Sequence, residues 1–224
     1  MDQMSICRIF GYALLILSAA SSLGQAQEDP SFDCAKARTH VEKVLCSGGN
    51  SGMGWIDQTM ADLYQAVHQA PGADAAALQA SQRAWLVQRN HCSGSDEKVM
   101  NCLLDSYRAR YVELSAPYDQ HHLTGGYSND RVGGFLDGVL FPDGSLSVSI
   151  SSTGPSPAYD QCSVTFRAPL DGGKVHYVAP PDPDIPDSKC TVDLTVSGSE
   201  IRVVPTDCRE SCGNGASFDG VYKR

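Results

Sequence analysis

The chain has 224 residues, with 17 Lys and Arg against 26 Asp and Glu, for a formal net charge of −9 with histidines neutral. An apolar share of 42% beside 19% charged residues is the balance of a folded chain and excludes a disordered one. The acidic balance argues against a partner held through its phosphate backbone, so nucleic acid is not expected.

Arg8, offset by Asp2, precedes an apolar run from Ile9 to Ala20. Ser21 and Ser22 then lead to Gly24-Gln25-Ala26, small residues at the spacing a signal peptidase reads. The run is too short to span a bilayer and no second one follows. Residues 1–26 are therefore expected to be a signal peptide, and the mature chain to be periplasmic or secreted. No lipobox cysteine follows the run, so a lipid anchor is not indicated. Cys7 leaves with the signal, and eight cysteines remain: Cys34, Cys46, Cys92, Cys102, Cys162, Cys190, Cys208 and Cys212. An even set in an exported chain reads as a disulfide framework, here four and four about the midpoint.

Gln27 to Tyr118 holds six Gly and three Pro, whereas Asp119 to Arg224 holds thirteen and nine. The first half can be helical; the second is interrupted too often. Thr39 and Glu42 form a capping box that predicts a helix from His40, with Val41, Val44 and Leu45 on one face. Gly48 to Gly54 reads as a flexible loop. Ile56, Met60, Leu63, Tyr64 and Val67 mark a second helix, stopped by Pro71-Gly72. Leu78, Trp85 and Leu86 mark a third, and Leu103, Tyr107, Tyr111 and Leu114 a fourth, halted before Pro117. Residues 27–118 thus predict a small antiparallel bundle of about four helices. Four cysteines allow three connectivities. On one straight helix Cys34 and Cys46 would lie about 18 Å apart, beyond disulfide reach. The cap at Thr39 leaves Cys34 outside the helix and free to fold back, which favours Cys34–Cys46 and Cys92–Cys102.

Tyr118 to Thr124 reads as the junction, with residues 119–125 expected as a linker. Beyond it the period is two: Leu146, Val148 and Ile150; Cys162, Val164, Phe166 and Ala168; Val175, Tyr177 and Ala179; Cys190, Val192, Leu194 and Val196. With edges near Gly126-Tyr127 and Gly220-Val221-Tyr222, residues 126–224 predict about eight short strands in an antiparallel barrel or sandwich. The fold class is therefore α+β in segregated domains. Cys162 and Cys190 share the inward phase and are expected to be able to pair, leaving Cys208 and Cys212 for a local bridge.

Several residues in the helical half belong together. They are Phe32-Asp33-Cys34-Ala35-Lys36-Ala37, Glu42, Cys46, Asp57, Tyr64, Gln82-Arg83-Ala84-Trp85-Leu86, Arg89, Cys92, Cys102-Leu103, Tyr107, Arg110 and Leu114. In order and cysteine spacing they resemble the LprI-like N-terminal domain, a family of secreted bacterial proteins named for a lysozyme inhibitor. The resemblance covers roughly 85 residues. It implies a non-enzymatic protein that binds lysozyme. Periplasmic inhibitors of c-type lysozyme are themselves small β-barrels, but their Ser-Gly-x-x-Tyr and Lys-Gly elements are not found here, and their inhibitory residues are not carried over.

The sequence contains no G-x-S-x-G, H-E-x-x-H or P-loop pattern, and no catalytic residue is assigned. His121-His122 would point to opposite faces of an extended segment, a poor chelating pair. Asp182, Asp184 and Asp187 lie among four prolines with no glycine for a calcium loop's turn, so a stiff acidic surface loop is the better reading. Cys208-x-x-x-Cys212 is a disulfide candidate rather than a zinc site. No metal or cofactor is expected. Trp85 belongs to the apolar stripe, and Arg89 and Arg110 are expected to pair with Asp57 or Glu42 inside the bundle.

What remains is a lysozyme inhibitor that presents loops to a basic c-type lysozyme and protects peptidoglycan. The candidate contact residues are Gly49, Asn50 and Ser51 in the glycine-rich loop, and Asp184, Ser188 and Lys189 in the proline-rich one. The alternative is an envelope module that binds a protein or glycan and inhibits nothing.

Overall fold

The computed structural model describes residues 29–47, 53–155, 159–181, 189–213 and 216–224. The expected signal peptide lies outside them. Four helices precede eight strands: α1 His40–Leu45, α2 Met53–Gln69, α3 Ala75–Arg89, α4 Asp96–Ser115, then β1 Gly125–Asn129, β2 Gly134–Leu140, β3 Ser145–Thr153, β4 Gln161–Pro169, β5 Lys174–Val178, β6 Thr191–Ser197, β7 Glu200–Thr206 and β8 Gly220–Lys223. No described helix is long and apolar enough to cross a membrane.

The helix starts follow from local chemistry. The Thr39 hydroxyl accepts from Glu42 N at 3.1 Å, and the Glu42 carboxylate accepts from Thr39 N at 2.9 Å and Arg38 N at 2.8 Å. These bonds hold the Glu42 carboxyl below its ordinary range. Asp74 and Ser95 cap α3 and α4 by the first half of this exchange, their side chains accepting from Ala77 N and Lys98 N. Helix α2 ends before Pro71-Gly72, where Gly72 takes φ +81° at a turn that a β-carbon would strain. Val99, Leu103, Tyr107, Tyr111 and Leu114 line one side of α4 and pack on Ile56, Met60 and Leu63 of α2. A short 3-10 turn over Cys34–Lys36 doubles the chain back, so Cys34 meets Cys46 with α-carbons 5.7 Å apart. Cys92–Cys102 ties the end of α3 to α4. Both helical pairings are as the sequence favours.

All eight strands form one antiparallel sheet in the order β4-β3-β2-β1-β8-β7-β6-β5. It curls until β4 and β5, its two ends, approach each other as a nearly closed barrel. The rings of Phe166 on β4 and Tyr177 on β5 stack across the seam at 4.3 Å. Leu146, Val148 and Ile150 of β3, Val192 and Leu194 of β6, and Ile201 and Val203 of β7 fill the interior.

The barrel disulfides differ from expectation. Cys162 pairs with Cys212, and Cys190 with Cys208. Shared inward phase told only which face Cys162 and Cys190 occupy. They flank different strands, β4 and β6, which are not neighbours. Cys190 instead sits beside the end of β7, because the β6–β7 register sets Thr191 opposite Thr206. The segment after β7 then lies along the start of β4, forming a bridge between Cys162 and Cys212.

Helices and barrel share a packed junction. At the end of β2, Leu140 packs in the barrel core while Val139 and, just past the strand, Phe141 are buried in the helical core. The Ser115 hydroxyl donates to the Leu140 carbonyl at 2.8 Å, and Arg108 grips Asp137 with two bonds of 2.7 and 2.8 Å. Between Tyr118 and β1, Asp119 is buried and accepts from Leu123 N at 2.7 Å and Thr124 N at 2.6 Å, while His121 and His122 are exposed.

Candidate functional site

Four of the residues that carry the sequence resemblance, Asp57, Trp85, Arg89 and Tyr107, converge inside the bundle. Asp57, on α2, is buried and accepts from Ser31 N at 2.9 Å and Ser31 Oγ at 2.6 Å. On its other oxygen it accepts from Arg89 Nη1 at 3.3 Å and from the Tyr107 hydroxyl. Arg89 also donates to Tyr107 Oη at 2.9 Å and to Asn90 Oδ1, and its guanidinium lies 5.5 Å from the centre of the Trp85 ring. Burial, then the adjacent Asp57 charge, keeps the Tyr107 phenol far above its ordinary range, so it remains a neutral donor. Trp85 is core as expected, its N–H donating to the Ser106 hydroxyl at 3.1 Å and its ring edge-on to Tyr107.

Arg89 therefore pairs with Asp57, as the sequence allowed. Arg110 does not. It is buried between α3 and α4, where it donates to Gln82 Oε1 at 3.0 Å and Ser81 Oγ at 2.9 Å and pairs with Glu113 at 2.7 Å. Rotation of α4 carries it to the α3 side, away from Asp57 and Glu42. Asp57 already accepts four hydrogen bonds, and Arg89 and Arg110 are buried with their partners, so none of the three is presented to a substrate. The network reads as scaffold.

Contact with a partner therefore falls to exposed groups. Of the residues expected to make it, Gly49, Asn50, Ser51, Asp184 and Ser188 lie outside the described residues, as do Asp182 and Asp187. Lys189 is described and exposed, immediately before Cys190. Met53 and Gly54, the end of the glycine-rich stretch, belong to the first turn of α2 and are buried. Among the described residues, no group of three His, Cys, Asp or Glu side chains is placed to hold a metal ion.

Surface hollows sit chiefly on the barrel. One is lined by β3, β4 and the Ser211–Gly213 segment. A second, on the far side of that segment, is lined by Pro205, Asp207, Arg209 and Ser217 among others. A smaller one at the junction is lined by Val112, Ala116, Asp119, His122, Thr124 and Arg224. The Arg224 guanidinium closes it, donating to the Thr124 carbonyl at 2.6 Å and lying 4.7 Å over the Tyr127 ring. Composition gave no hint of the first and third of these hollows, since each brings together segments distant in sequence.

A disulfide-stapled helical bundle with a buried Asp-Arg-Tyr network, packed on an acidic β-barrel, is the framework of a protein suited to an oxidising, extracytoplasmic compartment. Residues 34–114 match the model of the family described as lysozyme inhibitor LprI. The match spans the helical region and ends before the first strand, so the barrel lies outside it. No curated protein and no solved structure matches the chain.

Proposed function

We propose that the chain is an exported, non-enzymatic inhibitor of lysozyme that binds a basic c-type enzyme and protects peptidoglycan. The observation that carries this reading is the LprI family match over residues 34–114. The charge supports it: a net −9 steers a cationic partner into encounter. Inhibition follows if an exposed loop enters the enzyme's cleft, excludes the sugar and meets its two catalytic carboxylates. The loop of Gly49, Asn50 and Ser51 brings close backbone approach. The loop of Asp184, Ser188 and Lys189 brings a cation braced by the Cys190–Cys208 disulfide. A signal peptide over residues 1–26 delivers the protein to the periplasm or beyond.

Calorimetric titration of the oxidised protein with hen-type lysozyme tests the pairing. A saturable complex at physiological salt is expected, tightening at low salt as screening falls. Lys189→Glu is expected to weaken it at least about tenfold, since it places a like charge against the enzyme's carboxylates. Binding that vanishes entirely at physiological salt, or that a charge-matched acidic protein reproduces, sinks the reading.

A further inference from the structure

At one end of the barrel a groove of about 510 Å³ opens where β3, β4 and the segment after β7 meet. That volume falls in the range of ligand clefts, roughly 300–1,000 Å³. Ser151, Ser152 and Thr153 form one wall, Gln161, Cys162 and Ser163 the next, and Ser211, Cys212 and Gly213 the third. The walls are locked together by the Cys162–Cys212 disulfide and by Gly213 N donating to the Gln161 carbonyl at 3.0 Å. A β-carbon on Gly213 would stand 2.6 Å from the Asp160 side chain, so glycine permits the close approach that shapes this end. Asp160 in turn brings a carboxylate to the rim.

The lining chemistry is selective. Every residue just named as lining the groove is uncharged, on a chain of net charge −9. Ser151, Thr153, Gln161 and Ser163 are exposed, presenting hydroxyls and a carboxamide, each of which both donates and accepts. Two large exposed rings neighbour the lining positions, one across the sheet and one along the chain. Phe135 is the cross-strand partner of Ser151 and is 59% exposed. Tyr159, two residues before Gln161, is 61% exposed and takes φ +51°, a conformation bulky side chains avoid.

An anionic ligand finds no counter-charge in these walls and would meet the Asp160 carboxylate at the rim, and a lipid-like one finds no apolar bed. A sugar ring matches both offerings: its belt of hydroxyls suits the serines, threonine and glutamine, and its C–H face suits an exposed aromatic ring. We infer that this groove binds a neutral oligosaccharide, with Phe135 and Tyr159 as apolar platforms and Ser151, Thr153, Gln161 and Ser163 as its hydrogen-bonding bed. Occupancy does not depend on inhibition of lysozyme and stands or falls apart from it.

The test is an amide NMR titration of the oxidised protein with β-1,4-linked tetramers of N-acetylglucosamine and of glucose, and with an uncharged Ser/Asn peptide of similar length. At least one sugar is expected to give saturable shifts confined to residues 149–153, 161–165 and 211–213. Phe135→Ala and Tyr159→Ala are expected to weaken binding about tenfold each without changing Tm, since both rings are already in solvent. Ser163→Arg, which fills the groove, is expected to abolish it. Failure of both sugars to saturate up to about 10 mM, shifts located elsewhere, or undiminished affinity in the ring variants overturns the assignment. So does peptide binding that the sugars do not displace.

Discussion

Asp57 is the residue on which the helical half turns, because three partners from separate segments converge on one carboxylate. Asp57→Ala leaves the Arg89 guanidinium buried without its counter-ion and the Tyr107 hydroxyl without its acceptor. The expected cost is about 3–5 kcal/mol, read from urea unfolding of the oxidised protein. A loss below about 1 kcal/mol would mean that the network is not what holds the helices in register. Glu42 acts at the chain's first helix. Its carboxyl is held low by bonds from the Thr39 and Arg38 backbone amides, so its contribution is present above the ordinary carboxyl value of 4.5 and is lost as pH falls through the lower folded value. Amide exchange of α1 is expected to quicken in that acid window, and in Glu42→Gln that pH response is expected to disappear. Much of this residue-level chemistry was legible. The capping box could be read from spacing, and Asp57 was one of two carboxylates that the sequence offered to Arg89. Tyr107 could not, because a tyrosine on an apolar stripe looks like core and only its hydroxyl, at the far end of the ring, enters the polar network. Arg110 misled because periodicity gives a helix face without saying which neighbour that face meets.

At the level of elements, alternation identified four of the strands outright and missed two for physical reasons. Strand β2 ends in Gly138-Val139-Leu140 and the chain runs on into Phe141, apolar on both faces because one faces the barrel and the other the helices. Strand β7 alternates through Ile201 and Val203 but contains Pro205, which ordinarily counts against a strand. The barrel disulfides failed to read because phase specifies a face, whereas pairing needs the strand order. Non-reducing peptide mapping is expected to recover Cys162–Cys212 and Cys190–Cys208. Their sequence separations are 50 and 18 residues, so chain entropy favours the first by about 1 kcal/mol, near 4 against near 3. The double variant Cys162→Ser/Cys212→Ser is accordingly expected to melt below Cys190→Ser/Cys208→Ser. The reverse order would show that native-state contacts, rather than loop closure, decide what each bridge contributes. The groove between β3 and β4 had no sequence signature, since serines on an outward strand face look like ordinary solvated positions until the third wall closes against them.

For the whole molecule, segregation in sequence does not mean independence in space. Phe141 is 1% exposed and belongs to the helical core although it follows a barrel strand. Phe141→Ala is expected to cost about 3–5 kcal/mol. Both tryptophans, Trp55 and Trp85, lie in the helices, so their fluorescence and the amide exchange of β3 report the two halves separately. One shared transition is expected in the oxidised protein. Two well-separated transitions would show that the junction of Phe141, Ser115 and the Arg108–Asp137 pair does not couple them. The resemblance that suggested a role rests in part on residues now seen to be interior, Asp57, Trp85, Arg89, Tyr107 and Arg110 among them, so that part of the match describes a scaffold, and activity is expected from surface that the scaffold presents. A cell-wall lysis assay tests that role most directly. Oxidised protein is titrated into hen-type lysozyme at low and physiological salt, beside a charge-matched acidic control. Saturable inhibition that survives physiological salt is the predicted result, and lysis no slower than with the control would contradict it.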